Sequence, residues 1–274
     1  MSLDNFYSLR NNFLVLGLTG RTGGGCNEIG ELLKDTRNPF LTDVLPIPNN
    51  LHVNEIQKFN ICQKILTDPS NKWSRFSIIR YRDVLLLFFI SWIYEEVNGD
   101  FDQLTDKKLI GAFKKIYDGN SVKTRRIGQE DDRDGMVSKV ILPFLISNAS
   151  LLNNVANLFK ISGSRIVFKS EEGQIEDDRA KYLNAFFFNT YSRFASNLFH
   201  LIDKKDPVAR QLFLQDIASN LRKSGNVYFP ISQQDNVRGD FVFTVAEAIK
   251  RIIKINKRAN NKIPNYKTRI FTRI

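Results

Sequence analysis

The feature that most constrains the fold is a glycine-rich segment between an apolar run and a helical pattern, near the start of the chain. The apolar run, Phe13 to Leu16, is typical of a short buried strand. Five glycines then fall between Gly17 and Gly25, and from Asn27 onward the apolar residues recur at helical spacing. This order is the context of a phosphate-binding loop, because backbone N–H groups and a helix N-terminus can converge on an anion.

The glycine-rich segment departs from the phosphate-binding consensus at the positions that supply charge and bind metal. Against G-x-x-x-x-G-K-[ST], Cys26 replaces the lysine and Asn27 replaces the hydroxyl residue that binds Mg²⁺. We therefore predict that backbone amides bind the phosphates and that Arg21 supplies charge. The alternative is a glycine-rich turn that binds nothing. The predicted phosphate-binding residues are Gly20, Arg21, Thr22, Gly23, Gly24, Gly25, Cys26 and Asn27.

Composition limits the class of protein. The 274 residues are 42% hydrophobic and 12% aromatic, which is enough for a substantial core. Cys26 and Cys62 match no zinc or disulfide spacing, which favours a reducing, cytoplasmic location. The most apolar run, Val84 to Ile93, is about half the length that spans a bilayer. We therefore predict a buried helix there and no membrane segment.

Basic residues are concentrated at the end of the sequence. The net charge is +11, and the stretch from Lys250 to Ile274 contains nine basic residues and no acidic residue. It is either a solvated helix face followed by a basic loop, or a surface for nucleic acid, nucleotide phosphates or a protein partner.

Other helix and strand signals are local. A strand is predicted over Lys72 to Arg82, with Asp83 as the N-cap of the next helix. A long helix is predicted over Asp177 to Leu201, and the following helix is expected to begin at Asp206-Pro207 and to end at Gly225. Residues Ile161 to Glu176 are expected to form a small hairpin.

Several segments carry a resemblance to a known family. L-G-L-T-G-R-T-G-G-G-C resembles the opening of dephospho-coenzyme A kinases and phage deoxynucleoside monophosphate kinases. The chain is more similar to the kinase-like N-terminal half of bacterial antiphage dCTP deaminases and related deoxycytidylate deaminase-like proteins. Three stretches support that similarity, namely Trp73 to Leu85, Leu214 to Gly225, and Ala248 to Ile274 with its final T-R-I-F-T-R-I.

The resemblance implies a nucleotide-binding P-loop fold. This is a helix-rich three-layer α/β/α fold with a mostly parallel central sheet, in which the strand Phe13 to Leu16 lies inside the sheet. We expect one domain over residues 1–274, with a lid or insertion around 100–176. The implied ligands are ATP, GTP, dNTPs or dNMPs, and Mg²⁺ is a doubtful cofactor. Arg80 and Arg222 lie in the family-like segments and are candidates to contact a second phosphate or the substrate.

The resemblance also implies a larger context. We expect the chain to be the N-terminal part of a longer protein with a C-terminal deaminase-like domain, acting in antiviral defence. We also expect a homo-oligomer. The zinc-deaminase motifs H-x-E and P-C-x-x-C do not occur in this sequence, so these residues cannot carry out deamination.

Whether the chain is an enzyme is left open by the sequence. Cys26, Asn27 and Thr272 alter three positions that hold phosphate or Mg²⁺ in the family. We therefore favour a nucleotide-binding or nucleotide-sensing domain. The alternatives are an active nucleotide kinase or NTPase that obtains its metal ligands elsewhere, and a nucleic-acid or partner-docking module that uses the basic C-terminal face.

Overall fold

The computed structural model describes residues 13–18, 26–34, 52–67, 76–118, 134–162, 165–168, 177–228, 244–260 and 268–273. The chain divides into two compact units, Met1–Ile78 with Asn260–Ile274, and Ile79–Ala259. The described strands are β1 (Phe13–Leu18), β2 (Phe76–Arg80), β3 (Phe159–Ser162), β4 (Arg165–Phe168) and β5 (Thr268–Arg273). The described helices are α1 (Cys26–Lys34), α2 (Val53–Thr67), α3 (Tyr81–Glu96), α4 (Asp106–Asp118), α5 (Leu142–Ser147), α6 (Ala149–Leu158), α7 (Asp177–Ala185), α8 (Ser192–Lys205), α9 (Pro207–Ser224) and α10 (Thr244–Asn260).

Three short strands of the described chain form a small sheet in the order β1–β5–β2. β1 runs parallel to β5, with Phe13 opposite Thr268 and Leu18 opposite Arg273. β1 therefore lies at the edge of this order and not inside it. The helices α1 and α2 belong to the same unit as β1 and β5.

The predicted three-layer α/β/α fold with a mostly parallel central sheet is wrong. The described residues are predominantly helical, and their few short strands do not build a central sheet that helices cover in layers. The physical reason lies in α3, where every residue from Asp83 to Ile93 is buried. A helix that is apolar on all sides must be surrounded by other elements, so the core of its unit forms around a helix.

Helix α3 is the centre of the unit Ile79–Ala259, and its burial confirms the buried helix predicted for Val84 to Ile93. It contacts α4, α6, α8, α9 and β3. Three phenylalanine rings join α3, α4 and α9. The Phe89 ring centroid lies 5.5 Å from that of Phe113 and 5.1 Å from that of Phe213, and the latter two rings stack at 4.9 Å. Each of these buried side chains contributes roughly 2–3 kcal/mol to folding.

The ends of two helices test the local sequence signals. Asp206 is the N-cap of α9 and accepts a 2.8 Å hydrogen bond from the backbone N–H of Val208, while Gly225 ends the helix with φ 73°. Both predictions are confirmed. The prediction that Asp83 is the N-cap of α3 is wrong, because α3 begins at Tyr81 directly after β2 and Asp83 lies in its first turn.

Two π-helical segments interrupt the described helices. Phe186–Tyr191 joins α7 to α8, so the helix predicted over Asp177 to Leu201 is present with a widened turn and continues to Lys205. Val137–Ile141 precedes α5. A continuous period of 3.6 residues does not predict such a turn, because the extra residue of a π turn shifts the phase of the apolar pattern.

The antiparallel hairpin of β3 and β4 pairs Phe159 with Phe168. It begins two residues before the hairpin predicted over Ile161 to Glu176, since Phe159 and Lys160 are already in the first strand. Within the described parts of the chain, no single helix has the length and apolar character needed to cross a membrane, although the bent pair Asp134–Ser147 and Ala149–Leu158 meets those criteria together.

Candidate functional site

The glycine-rich segment is flanked by the two elements that the sequence predicts. β1 ends at Leu18 and α1 begins at Cys26. Residues Gly20 to Gly25 lie outside the described part of the chain. Cys26 and Asn27 form the start of α1, where the first backbone N–H groups of a helix have no partner within the helix. Their side chains are not among those described.

The two arginines predicted to contact a second phosphate lie at the start of α3 and in the last turn of α9. Arg80 immediately precedes α3 and is half-buried, and Arg222 is exposed in the last turn of α9. Burial raises the pKa of Tyr81, and the positive charge of Arg222 opposes that rise. The charge of Arg222 therefore acts on Tyr81, the residue that follows Arg80.

Asp83 lies at the centre of a buried polar network in the first turn of α3. It is only 1% exposed. Its Oδ2 accepts a 3.1 Å hydrogen bond from Ser192 Oγ and lies 3.9 Å from Arg80 Nη1, while its Oδ1 lies 3.6 Å from Arg82 Nε. Burial raises the pKa of Asp83, although Arg80, Arg82 and the Ser192 hydroxyl oppose that rise. The cost of burying the carboxylate therefore exceeds the attraction of its two arginines.

The π-helical segment Phe186–Tyr191 brings two consecutive residues to this aspartate. The hydroxyl of Tyr191, which is fully buried, donates a hydrogen bond to the backbone carbonyl of Asp83. Ser192, the next residue, binds the Asp83 carboxylate and accepts a 3.3 Å hydrogen bond from Arg80 Nη1. The start of α8 is thereby fixed against the start of α3. π-helical turns of this kind are frequent at functional sites.

A second ion pair lies beside the first. Arg210 Nε on α9 is 2.9 Å from Asp203 Oδ1 on α8. The guanidinium of Arg82 stacks over the Phe199 ring, 5.2 Å from its centroid. Burial lowers the pKa of Arg82, and its other influences include the charges of Arg210 and Asp203. The two pairs therefore form one electrostatic group, here called the arginine cluster. Its members are Arg80, Arg82, Arg210, Asp83 and Asp203.

The arginine cluster contains buried polar atoms that lack hydrogen bonds. Among the described residues, eight buried side-chain N or O atoms have no hydrogen-bond partner, and four of them belong to this cluster. They are the facing atoms of the two ion pairs, Arg82 Nε with Asp83 Oδ1 at 3.6 Å and Arg210 Nε with Asp203 Oδ1 at 2.9 Å, so each has a charged partner although it makes no hydrogen bond. The four atoms are Arg82 Nε, Asp83 Oδ1, Asp203 Oδ1 and Arg210 Nε.

The sequence predicts only part of this network. Arg80 and Arg82 stand at alternate positions of the predicted strand, but Asp83 is interpreted there as a helix cap. Ser192 and Tyr191 carry no local signal, because Tyr191 reads as one of a series of core aromatic residues. Their role depends on a contact between helices more than 100 positions apart in the sequence.

The basic stretch at the end of the sequence includes the described helix α10. Lys250, Lys254 and Lys257 are exposed on it, while Ile252 and Ile255 are buried. Lys250 pairs with Glu247 at 3.3 Å. This arrangement gives α10 a cationic outer face.

Neither a metal-binding group among the described residues nor a related protein identifies the function of this site. In the part of the chain that the structure describes, no group of three or more His, Cys, Asp or Glu residues is arranged to hold a metal ion. Comparisons of this chain with family models, with curated proteins and with solved structures find no match.

Proposed function

We propose that the chain binds the phosphate groups of a nucleotide through Gly20 to Asn27. The observation that carries the proposal is the placement of β1 and α1 on either side of this segment, with β1 in a parallel pair with β5. A chain that leaves a parallel strand and enters a helix directs backbone N–H groups toward the connection between them. Glycines in that connection allow an anion to approach the backbone closely.

The chemistry of the segment favours binding over phosphoryl transfer. Cys26 and Asn27 supply neither the cation nor the hydroxyl that a phosphoryl-transfer loop uses. Arg21 is then the cation within the segment. The family resemblance makes ATP, GTP and deoxynucleotides the first ligands to test, with a sensing role in a deaminase-like antiphage protein as the proposed context.

A thermal-shift panel of ATP, GTP, dNTPs and dNMPs, each with and without Mg²⁺, tests the proposal. A ligand at 100 times its Kd stabilises the folded state by roughly 2.7 kcal/mol, which raises Tm by a few degrees. We expect a shift that does not require Mg²⁺. A shift that requires Mg²⁺ supports the kinase or NTPase alternative, which turnover of the nucleotide would then establish. No shift with any nucleotide contradicts nucleotide binding.

Two arginine variants locate the bound nucleotide. Arg21→Ala is expected to weaken binding at least tenfold, about 1.4 kcal/mol. Arg193→Ala is the matched control, because Arg193 is exposed on α8 and belongs to the other unit. Equal affinities of Arg21→Ala and the wild type would remove Arg21 from the site.

The cationic face of α10 supports a second candidate function, the binding of nucleic acid. Exposed Lys250, Lys254 and Lys257 on one face would neutralise backbone phosphates. Binding should then weaken steeply with salt, and replacement of all three lysines by glutamine should reduce the slope of log K against log salt concentration. If the triple variant keeps the wild-type slope, this face does not contact the phosphates.

A further inference from the structure

We propose that His52 is a pH-sensitive cap of α2, which holds the first turn of that helix while its imidazole is neutral and releases it when the imidazole is protonated. The device consists of His52 and the residues that begin α2 (Val53–Thr67). It does not include the glycine-rich segment, so it does not depend on the function proposed above.

The start of α2 has the hydrogen bonds of a capping box. The backbone N–H of His52 donates to Glu55 Oε2 at 3.0 Å, and the backbone N–H of Asn54 donates to His52 Nδ1 at 3.4 Å. The His52 carbonyl accepts hydrogen bonds from the backbone N–H groups of Glu55 and Ile56 at 2.8 and 3.0 Å. In the usual capping box the first residue is a serine or threonine, whose hydroxyl does not titrate. Here the acceptor is a ring nitrogen, which can take up a proton.

Protonation of the imidazole removes this acceptor. Nδ1 accepts a hydrogen bond only in the neutral ring, because both ring nitrogens of the imidazolium are donors. The Asn54 N–H would then face another N–H. The imidazolium would also place positive charge at the N-terminus of a helix, where the helix dipole favours negative charge. Histidine is the side chain that ordinarily changes its charge between about pH 5 and 8, so the cap responds to pH within that interval.

The charges around His52 are few. Among the described residues, the hydrogen bonds of His52 all lie within the start of α2, and the charged residues of the first two turns are Glu55 and Lys58. Glu55 attracts the imidazolium and opposes the release, and Lys58 repels it. Both side chains are exposed, so salt and solvent weaken these interactions. Carboxylates ordinarily titrate near about pH 4, so Glu55 keeps its charge while a histidine titrates.

Packing gives the first turns of α2 little support. Val53 is 64% exposed, and none of the described side chains from His52 to Asn60 is buried. A helical turn without packing is marginally stable in water, and its caps then decide whether it forms. The loss of the His52 cap should therefore unwind the start of α2 without unfolding the rest of the chain.

NMR of the full chain tests the cap, because the Cα chemical shifts of Val53 to Ile56 report the helical population of this turn. In the wild type we expect the ratio of helical to frayed turn to be about fivefold lower at about pH 5.5 than at about pH 8. His52→Asn supplies a side-chain oxygen that caps at both pH values, so its first turn should stay helical. His52→Ala has no side-chain acceptor and should be frayed at both. His52 is exposed, so neither replacement is expected to unfold the protein.

Two further variants assign the pH dependence to His52. The chain has two histidines, and His200 is exposed on α8 in the other unit, so His200→Asn is the matched control and should keep the wild-type decrease. Glu55→Gln keeps an acceptor for the His52 N–H but removes the charge that opposes release. We expect its first turn to show a larger decrease than the wild type.

Four results would overturn the proposal. They are a helical population in the wild type that does not change with pH, a population that rises at the lower pH, the same decrease in His52→Asn as in the wild type, and a decrease that His200→Asn or Glu55→Gln abolishes. A rise at the lower pH would mean that attraction between the imidazolium and Glu55 outweighs the loss of the acceptor.

Discussion

Ser192 Oγ donates a hydrogen bond to Asp83 Oδ2 at 3.1 Å, across 109 positions of the sequence. The serine begins α8 and the aspartate lies in the first turn of α3, so the bond joins two helices at their starts. Both residues are buried. Because Ser192 also accepts a hydrogen bond from Arg80, one hydroxyl connects the carboxylate to the arginine.

Replacement of Asp83 should depend strongly on the new side chain. Asp83→Ala removes the acceptor of a buried hydroxyl and is expected to lower the free energy of unfolding by about 2–3 kcal/mol. Asp83→Asn keeps an oxygen for Ser192 and removes a charge whose burial is unfavourable, so we expect a loss below about 1 kcal/mol. Urea denaturation of both variants measures the difference. Equal losses in the two variants would show that the negative charge, and not the acceptor, stabilises the fold.

The stability contributed by Asp83 should decrease as pH rises. Burial raises the pKa of Asp83 above its ordinary value of 3.8, so the folded protein holds this proton more tightly than the unfolded chain. The stabilisation from that proton is complete below pH 3.8 and is lost as pH increases through the folded-state pKa. We expect the wild type to lose stability relative to Asp83→Asn over this interval, as measured by urea unfolding at several pH values. The opposite trend would mean that the arginines dominate over burial.

The ring cluster of α3, α4 and α9 should be sensitive to truncation. Phe89→Ala removes a ring that contacts Phe113 and Phe213, and we expect a loss of about 3–5 kcal/mol. Ile146→Ala on α5 is the control, because Ile146 is 44% exposed, and it should cost less than about 1 kcal/mol. Chemical denaturation measures both. A cost for Phe89→Ala as small as that of the control would mean that the rings are not tightly packed.

Two glycine-to-alanine changes should have opposite effects on the free energy of unfolding. Gly225 ends α9 with φ 73°, which strains an L-residue, so Gly225→Ala is expected to destabilise by about 1–2 kcal/mol. Gly111 lies inside α4, and a Cβ added there meets no atom within 4 Å. Gly111→Ala is therefore expected to stabilise by about 0.5–1 kcal/mol. Thermal unfolding of the two variants reports the signs, and a stabilised Gly225→Ala would refute the left-handed cap.

Local features of this fold could be predicted from the sequence, and long-range ones could not. The cap at Asp206 and the end at Gly225 depend on neighbouring residues, and the burial of Val84 to Ile93 follows from composition alone. The fold class is predicted from one strand, one glycine-rich segment and one helix. The other described residues are mainly helical, and no local pattern in the first segment predicts how they pack. Similarly, nothing close to Asp83 in the sequence indicates Ser192.

The parallel pairing of β1 with β5 has a consequence for synthesis. Phe13 leaves the ribosome early, but its partner Thr268 is made only after the whole helical unit. At a synthesis rate of about 5–20 residues per second, more than about ten seconds pass between the synthesis of β1 and that of β5. An unpaired strand exposes backbone N–H and C=O groups that can join other chains. During this interval the unpaired β1 of the nascent chain is exposed to pairing with other chains. The helices of the unit around α3 can fold in the same interval.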